Sequence, residues 1–223
     1  FIFIFSSFLF AQINPRSYKI LGIAVEGSKS ADASTIIVNS GLKVGDEIQI
    51  PGDQTLNAIR QIWSLNIFSD IQIQIEKEVS EGVFLLIKVQ EYPRIERTVF
   101  EGNDELSDKD IEQKIPFIRG QILKPQDVAN LKQRLLQDYK KEGLLNAEIN
   151  PKYYTFFAAD SLDDEIEVTW RNTIDLSDEY KLSYEPNDPY YSNLLTKIKD
   201  RILLKLEITE GEATTVREID FNG

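Results

Sequence analysis

Histidine, cysteine and methionine are all missing from this 223-residue chain. Their absence excludes cysteine-protease and Ser-His-Asp arrangements, thiolate or imidazole metal sites and disulfides, because each needs a side chain that is not there. Carboxylates, Lys, Ser and Tyr are left for any chemistry. Positive charge is also scarce: 25 Lys and Arg stand against 37 Asp and Glu, a net charge of −12. A field of that sign repels phosphate backbones and anionic head groups, which argues against a nucleic-acid partner. Long apolar runs are nearly absent. The one run, Phe1 to Ala11 (FIFIFSSFLFA), is about as long as the hydrophobic region of a signal peptide and falls short of the ~20 residues of a membrane span. Residues 1–11 are therefore expected to be a signal-peptide remnant, with basic leader and initiator Met upstream and a mature start near Gln12; the alternative is a buried apolar strand. Export without cysteine suits a bacterial envelope compartment.

What is present suffices to fold. Hydrophobic residues make up 42% of the chain, enough to fill real cores. An internal repeat then organises the sequence. Tyr18 to Gly27 (YKILGIAVEG) aligns with Pro93 to Gly102 (PRIERTVFEG), pairing Ile20 with Ile95, Val25 with Phe100, Glu26 with Glu101 and Gly27 with Gly102. The 75-residue offset carries Asp32 onto Ser107, Ile36 onto Ile111, Gly45 onto Gly120 and Ile48 onto Leu123, and Trp63 meets Tyr139 one residue later. Thr214 to Gly223 repeats the opening segment a third time.

Each unit reads as β-α-α-β-β. In the first, Ile20 to Val25 is a β-rich segment, Asp32 caps a helix that stops at Gly41, and Asp53 opens a second helix. Leu56, Ile59, Ile62 and Trp63 are expected to face a core from that helix. Ile71 to Ile75 alternates as a strand with one wet face, while Val83 to Ile87 is continuously apolar, as a central strand is. In the second unit, Ile95 to Phe100 repeats the strand, Ser107 and Asp110 resemble a capping box, and Val128, Leu131, Leu135, Leu136 and Tyr139 line one helical face ending at Gly143. Strands at Ala147 to Phe157 and Ile202 to Ile208 are expected to finish it. Between them, roughly 160–199, lies an insert with ten acidic and four basic residues, which also carries Trp170, Tyr180, Tyr184, Tyr190 and Tyr191. Ile166, Val168 and Trp170 alternate as a strand would, so the hairpin pairing here stays open.

Tandem β-α-α-β-β units opening with I-x-x-I-x-V/F-x-G, in an exported chain, resemble the POTRA domains of the BamA family. Three segments carry the likeness: Val216-Arg-Glu-Ile-Asp-Phe-Asn-Gly223 is similar to the opening of a POTRA unit, Glu210-Gly211-Glu212 to the exit from the preceding one, and Val89-Gln-Glu-Tyr-Pro93 to a domain junction. The long insert departs from that pattern, as does Thr98, which stands where the other units have Ile23 and Ile219. The resemblance implies an α+β fold of tandem POTRA-like units, each a three-stranded mixed sheet covered by two helices. They would occupy 16–92 and 93–212, with the first strand of a third unit at 214–223. It also implies a periplasmic location tethered through a C-terminal membrane β-barrel outside this sequence, and as partners unfolded outer-membrane proteins and accessory assembly subunits.

Binding is expected at exposed sheet edges, where extended segments add through backbone bonds that tolerate many sequences. In POTRA domains the strand after the second helix lies at an edge. The resemblance places client-binding edges at Ile71, Gln72, Ile73, Gln74 and Ile75, and at Ala147, Glu148, Ile149 and Asn150. The bland reading is that Gln72 and Gln74 are only solvated positions. A second reading makes the acidic aromatic insert a docking surface, through Asp163, Asp164, Glu165, Glu167, Trp170 and Tyr184. An enzyme is not expected. The acids near Asp160 lack the spacing of a calcium loop and read as a self-repelling solvated surface, so no metal and no cofactor is expected. A related outer-membrane secretion transporter, or a purely structural docking spacer, is the alternative.

Overall fold

The computed structural model describes residues 16–162, 165–186 and 193–214. The expected leader at 1–11 and all but Thr214 of the expected third opening strand at 214–223 lie outside the described residues. The chain divides into two compact units, Phe1–Glu91 and Tyr92–Gly223.

The first unit runs β1 (Arg16–Glu26), α1 (Ala33–Ser40), β2 (Glu47–Ile50), α2 (Asp53–Trp63), β3 (Phe68–Val79) and β4 (Gly82–Glu91). Its sheet has the order β2-β1-β4-β3. β1 pairs with β4 in parallel, β3 with β4 antiparallel, and the four-residue β2 lies against the first part of β1. The mixed three-stranded sheet of the expected unit is there, with β2 added. β4 is central, and Val83, Leu85, Ile87 and Val89 are all buried on one of its faces.

Helix α2 corrects one expectation. Thr55, Ala58 and Ile62 form its buried stripe, whereas Leu56 is 51% and Trp63 46% exposed. Small Ala58 sets the contact with the sheet, and residues one position further on are rotated by about 100° toward solvent. In the second unit the matching stripe is Val128, Leu131, Leu135 and Tyr139. Ala58 and Ile62 thus correspond to Leu135 and Tyr139, 77 residues apart. Trp63 matches the polar Lys140, not Tyr139.

Outside the helices the 75-residue register holds at the level of single bonds. Gly45 N donates to Ile20 O and Ile20 N to Asp46 O; Gly120 N donates to Ile95 O and Ile95 N to Gln121 O, all at 2.8 to 2.9 Å. Both opening strands skip a residue at the same place, between Ile20 and Gly22 and between Ile95 and Arg97. Gly27 and Gly102 end these strands at φ 93° and 82°. A Cβ there would lie 2.0 Å from Val89 O and 2.1 Å from Ile208 O respectively, so only glycine fits. The junction glutamates share a role too. Glu91 accepts from Lys29 N and Ser30 N, both at 2.8 Å, and Glu210 accepts from Glu105 N at 3.0 Å, in each case tying down the turn that follows the glycine.

The second unit contains β5 (Arg94–Glu101), α3 (Asp108–Glu112), α4 (Pro125–Lys141), β6 (Glu148–Leu162), β7 (Glu165–Asn172), β8 (Glu179–Tyr184), α5 (Leu194–Ile198) and β9 (Arg201–Thr209). Five strands are ordered β5-β9-β6-β7-β8. β6, at 15 residues, outruns the expected strand; it pairs with β9 from Glu148 to Thr155 and with β7 from Tyr154 to Leu162. The insert is therefore a β-hairpin and a short helix that widen the sheet. Leu203 and Leu204, adjacent on β9, face opposite sides. Leu204 joins Ile95, Leu131, Leu135 and Tyr139 in the core under the helices, while Leu203 joins Tyr154, Val168, Trp170, Tyr184, Leu194 and Ile198 in a second core that the insert supplies. Glu96, with a fully buried side chain, pairs with Arg119 and with Arg201 at 2.7 Å, and the Tyr184 ring lies 5.6 Å from Arg97 and 5.4 Å from Arg119. The insert is thus fastened to the repeat framework by packing and by charge.

Candidate functional site at the sheet edges

β3 ends its sheet and pairs only with β4. The direction of its free backbone groups follows from two carbonyls of β4. Val89 O points toward β1, where it lies against Gly27, while Gln90 O points toward β3 and accepts from Ser69 Oγ at 3.1 Å. Backbone direction alternates along a strand, so Leu86, Lys88 and Gln90 bond β3 through their register partners Gln74, Gln72 and Asp70. The N–H and C=O groups of Ile71, Ile73 and Ile75 then point out of the sheet. Their side chains turn to the core face, with Ile71 buried and the other two half-buried. On the wet face Gln74 Nε2 donates to Gln72 Oε1 at 2.9 Å and Gln72 Nε2 to Asp70 Oδ2 at 2.8 Å. The five residues named from the sequence form an open edge. Their roles divide: the isoleucines present the backbone and the glutamines the surface.

The edge expected in the second unit is different. Ala147 precedes β6, and Glu148, Ile149 and Asn150 lie in it. Ile208 O faces Gly102, just past the end of β5, so by the same alternation Glu148, Asn150, Lys152 and Tyr154 bond β9, and Ile149, Pro151 and Tyr153 face away from it. Proline has no N–H, and Tyr153 O is taken by Thr173 N at 2.9 Å. From Tyr154 onward β7 covers the strand. Ile149 alone keeps both backbone groups on the open side, so 147–150 does not reproduce the edge of 71–75.

The insert also departs from the docking-surface expectation. Trp170 and Tyr184 are 0% and 1% exposed, because the hairpin turns its apolar row, Ile166, Val168, Trp170, Tyr180, Leu182 and Tyr184, onto the second core. Neither aromatic is available to a partner. Asp163 and Asp164 lie outside the described residues, Glu165 is exposed, and Glu167 pairs with Lys181 at 2.7 Å. Asp178, which the sequence did not single out, anchors the hairpin end. It accepts from Tyr154 Oη at 2.7 Å, Asn172 Nδ2 at 3.1 Å and Lys152 Nζ at 3.2 Å. Burial raises its pKa, but these bonds outweigh it and hold the carboxyl below its ordinary value. No group of three or more acidic side chains among the described residues is placed to hold a metal.

Both units place the opening strand parallel to the last strand and the strand after the long helix antiparallel to it, and only the first leaves that strand open as an edge. Residues 93–177 match the POTRA family model, described as surface antigen variable number repeat. Over 131 residues, 58% of the chain, it is 30% identical to the outer membrane protein assembly factor BamA of Nitratidesulfovibrio vulgaris, of which it spans 16%. Among solved structures it is similar to the N-terminal domain of Omp85 from Thermosynechococcus elongatus, with 14% identity, 93% of this chain and 74% of that chain covered, and a TM-score of 0.49. It is also similar to POTRA1-2 of the periplasmic domain of Omp85 from Anabaena, with 13% identity, 90% and 100% covered, and a TM-score of 0.44. Residues 93–177 are thus similar to a POTRA repeat, and the chain is similar to a small part of a BamA protein.

Proposed function

We propose that this chain is the periplasmic binding and scaffolding region of an outer-membrane β-barrel assembly factor, and that it receives unfolded outer-membrane proteins by strand addition at β3. The open backbone of Ile71, Ile73 and Ile75 is the observation that carries this reading. Three donor-acceptor pairs at two-residue spacing match an incoming extended strand, and backbone bonding accepts many side chains, as a binder of varied β-strand clients requires. Neutral Gln72 and Gln74 add no charge requirement of their own. Accessory subunits and a C-terminal barrel complete the assembly in this reading, and no catalytic step is needed.

The test is binding of a labelled peptide copied from an outer-membrane β-strand, measured by anisotropy. Ile73→Pro removes an outward donor, while Ile73→Thr removes the same side chain and keeps the N–H. Ile73→Pro is expected to bind about tenfold more weakly than Ile73→Thr, the weight of about one hydrogen bond. Gln72→Ser and Gln74→Ser should bind as wild type does. Equal binding by the two Ile73 variants, both folded by circular dichroism, would overturn strand addition at this edge.

A further inference from the structure

The insert covers β6 from Tyr154 onward and ends in an edge of its own. β8 is the last strand of the five and pairs only with β7. Asn172 N donates to Asp178 O at 2.9 Å, so even-numbered residues of β7 bond across to β8. Tyr180, Leu182 and Tyr184 are the register partners of Trp170, Val168 and Ile166, and they make the ladder. The N–H and C=O groups of Glu179, Lys181 and Ser183 therefore face outward, and among the described residues nothing bonds them.

Two features distinguish this edge from a guarded one. Edge strands are commonly protected by charged side chains that project past the rim. Here the charges fold back over the sheet: Lys181 Nζ reaches Glu167 on β7 at 2.7 Å, and Glu179 reaches Arg171 at 2.7 Å. On the other face, half-buried Tyr180 and Leu182 border the second core, an apolar row that one more strand would cover. Among the described residues this side of the hairpin is acidic, with Asp160, Glu165, Glu167 and Glu179 against Arg171 and Lys181.

We propose that the outer edge of β8 is a second strand-acceptor site, for amphipathic strands of unfolded outer-membrane clients whose polar face is basic. This rests on the client-binding reading above and adds a substrate preference to it. Backbone pairs at Glu179, Lys181 and Ser183 take the strand. Its apolar face extends the row of Tyr180 and Leu182, while lysines or arginines on its other face lie next to Glu179 and Glu185 and answer the net negative charge that Arg171 and Lys181 leave on this side. On the wet face of β3 neutral Gln72 and Gln74 lie beside Asp70 and Lys88 of β4, a surface of mixed charge, so the two edges differ in the client charge they favour.

The experiment uses the whole chain and two strand peptides with one apolar face, one carrying lysines and one carrying serines on the polar face. Lys181→Pro removes an outward donor and leaves the β7 ladder intact, while Lys181→Thr removes the same side chain and keeps the N–H. The lysine peptide should bind Lys181→Pro about tenfold more weakly than Lys181→Thr, and should weaken as salt rises from about 50 to 500 mM. Equal binding by the two Lys181 variants overturns the β8 site. The serine peptide with Ile73→Pro reads β3 separately, so a failure there is told apart from a failure here. If Lys181→Pro does not fold, amide exchange of wild type decides: protection of Glu179, Lys181 and Ser183 by the lysine peptide supports the site, and unchanged exchange at all three overturns it.

Discussion

At the scale of residues, neighbours in the sequence do unlike work. Tyr139 is fully buried beneath α4, whereas Trp63, its apparent counterpart, is half out in solvent. Tyr139→Ala should cost about 3 to 5 kcal/mol, as truncation of a buried aromatic does, and Trp63→Ala less than about 1 kcal/mol, both read by denaturant unfolding. The sequence matched these two by type and register, but a helix turns by about 100° per residue, so a slip of one residue trades core for surface. Glu91 was legible only as part of a junction motif. Burial pushes its pKa up, but the N–H and hydroxyl groups of Ser30, Lys29 N and Ser28 Oγ more than offset this and bring it down to about 2 from 4.5. A folded-state pKa below the unfolded value contributes stability that is fully present above about 4.5 and is lost as pH falls toward 2. Thermal unfolding followed from pH 6 downward should show a falling Tm across that window, with a smaller fall in Glu91→Gln.

At the scale of elements, the edges were half legible. Strict alternation from Ile71 to Ile75 marked a strand with one wet face, and that strand is at an edge. Which backbone groups point outward was not legible, because it depends on the register with β4 and on which carbonyls of that strand meet Gly27 and Ser69. The same limit concealed β7 and β8. Ile166, Val168 and Trp170 announced a strand, yet an acidic stretch rich in aromatics fits a docking surface as well as a hairpin. What decides between them is Leu203, which leaves the second face of β9 to be covered. Pro151 gives the element-scale prediction. It faces the open side of β6, where a donor would otherwise extend the free edge begun at Ile149. Pro151→Val should raise self-association of the chain at high concentration, measured by sedimentation velocity, while leaving its circular dichroism unchanged. An unaltered monomer would mean that the proline does not guard this edge.

At the scale of the molecule, one motif is used in two ways. Both units share the opening strand, the glycine pressed against the last strand, and the glutamate that ties down the turn; the first two were legible because they repeat in register. The insert was visible as extra length, negative charge, aromatics and one alternating segment, with its pairing left open. Its physical effect is to cover β6 from Tyr154 onward and to give the sheet a second core. The most direct measurement of strand addition is residue-resolved amide hydrogen exchange on the whole chain, with and without a saturating outer-membrane strand peptide. Outward amides should be protected in alternation: Ile71, Ile73 and Ile75 should slow, while Gln72 and Gln74, already bonded to β4, should not change. Uniform slowing along β3, or none, would contradict the proposed mode of binding.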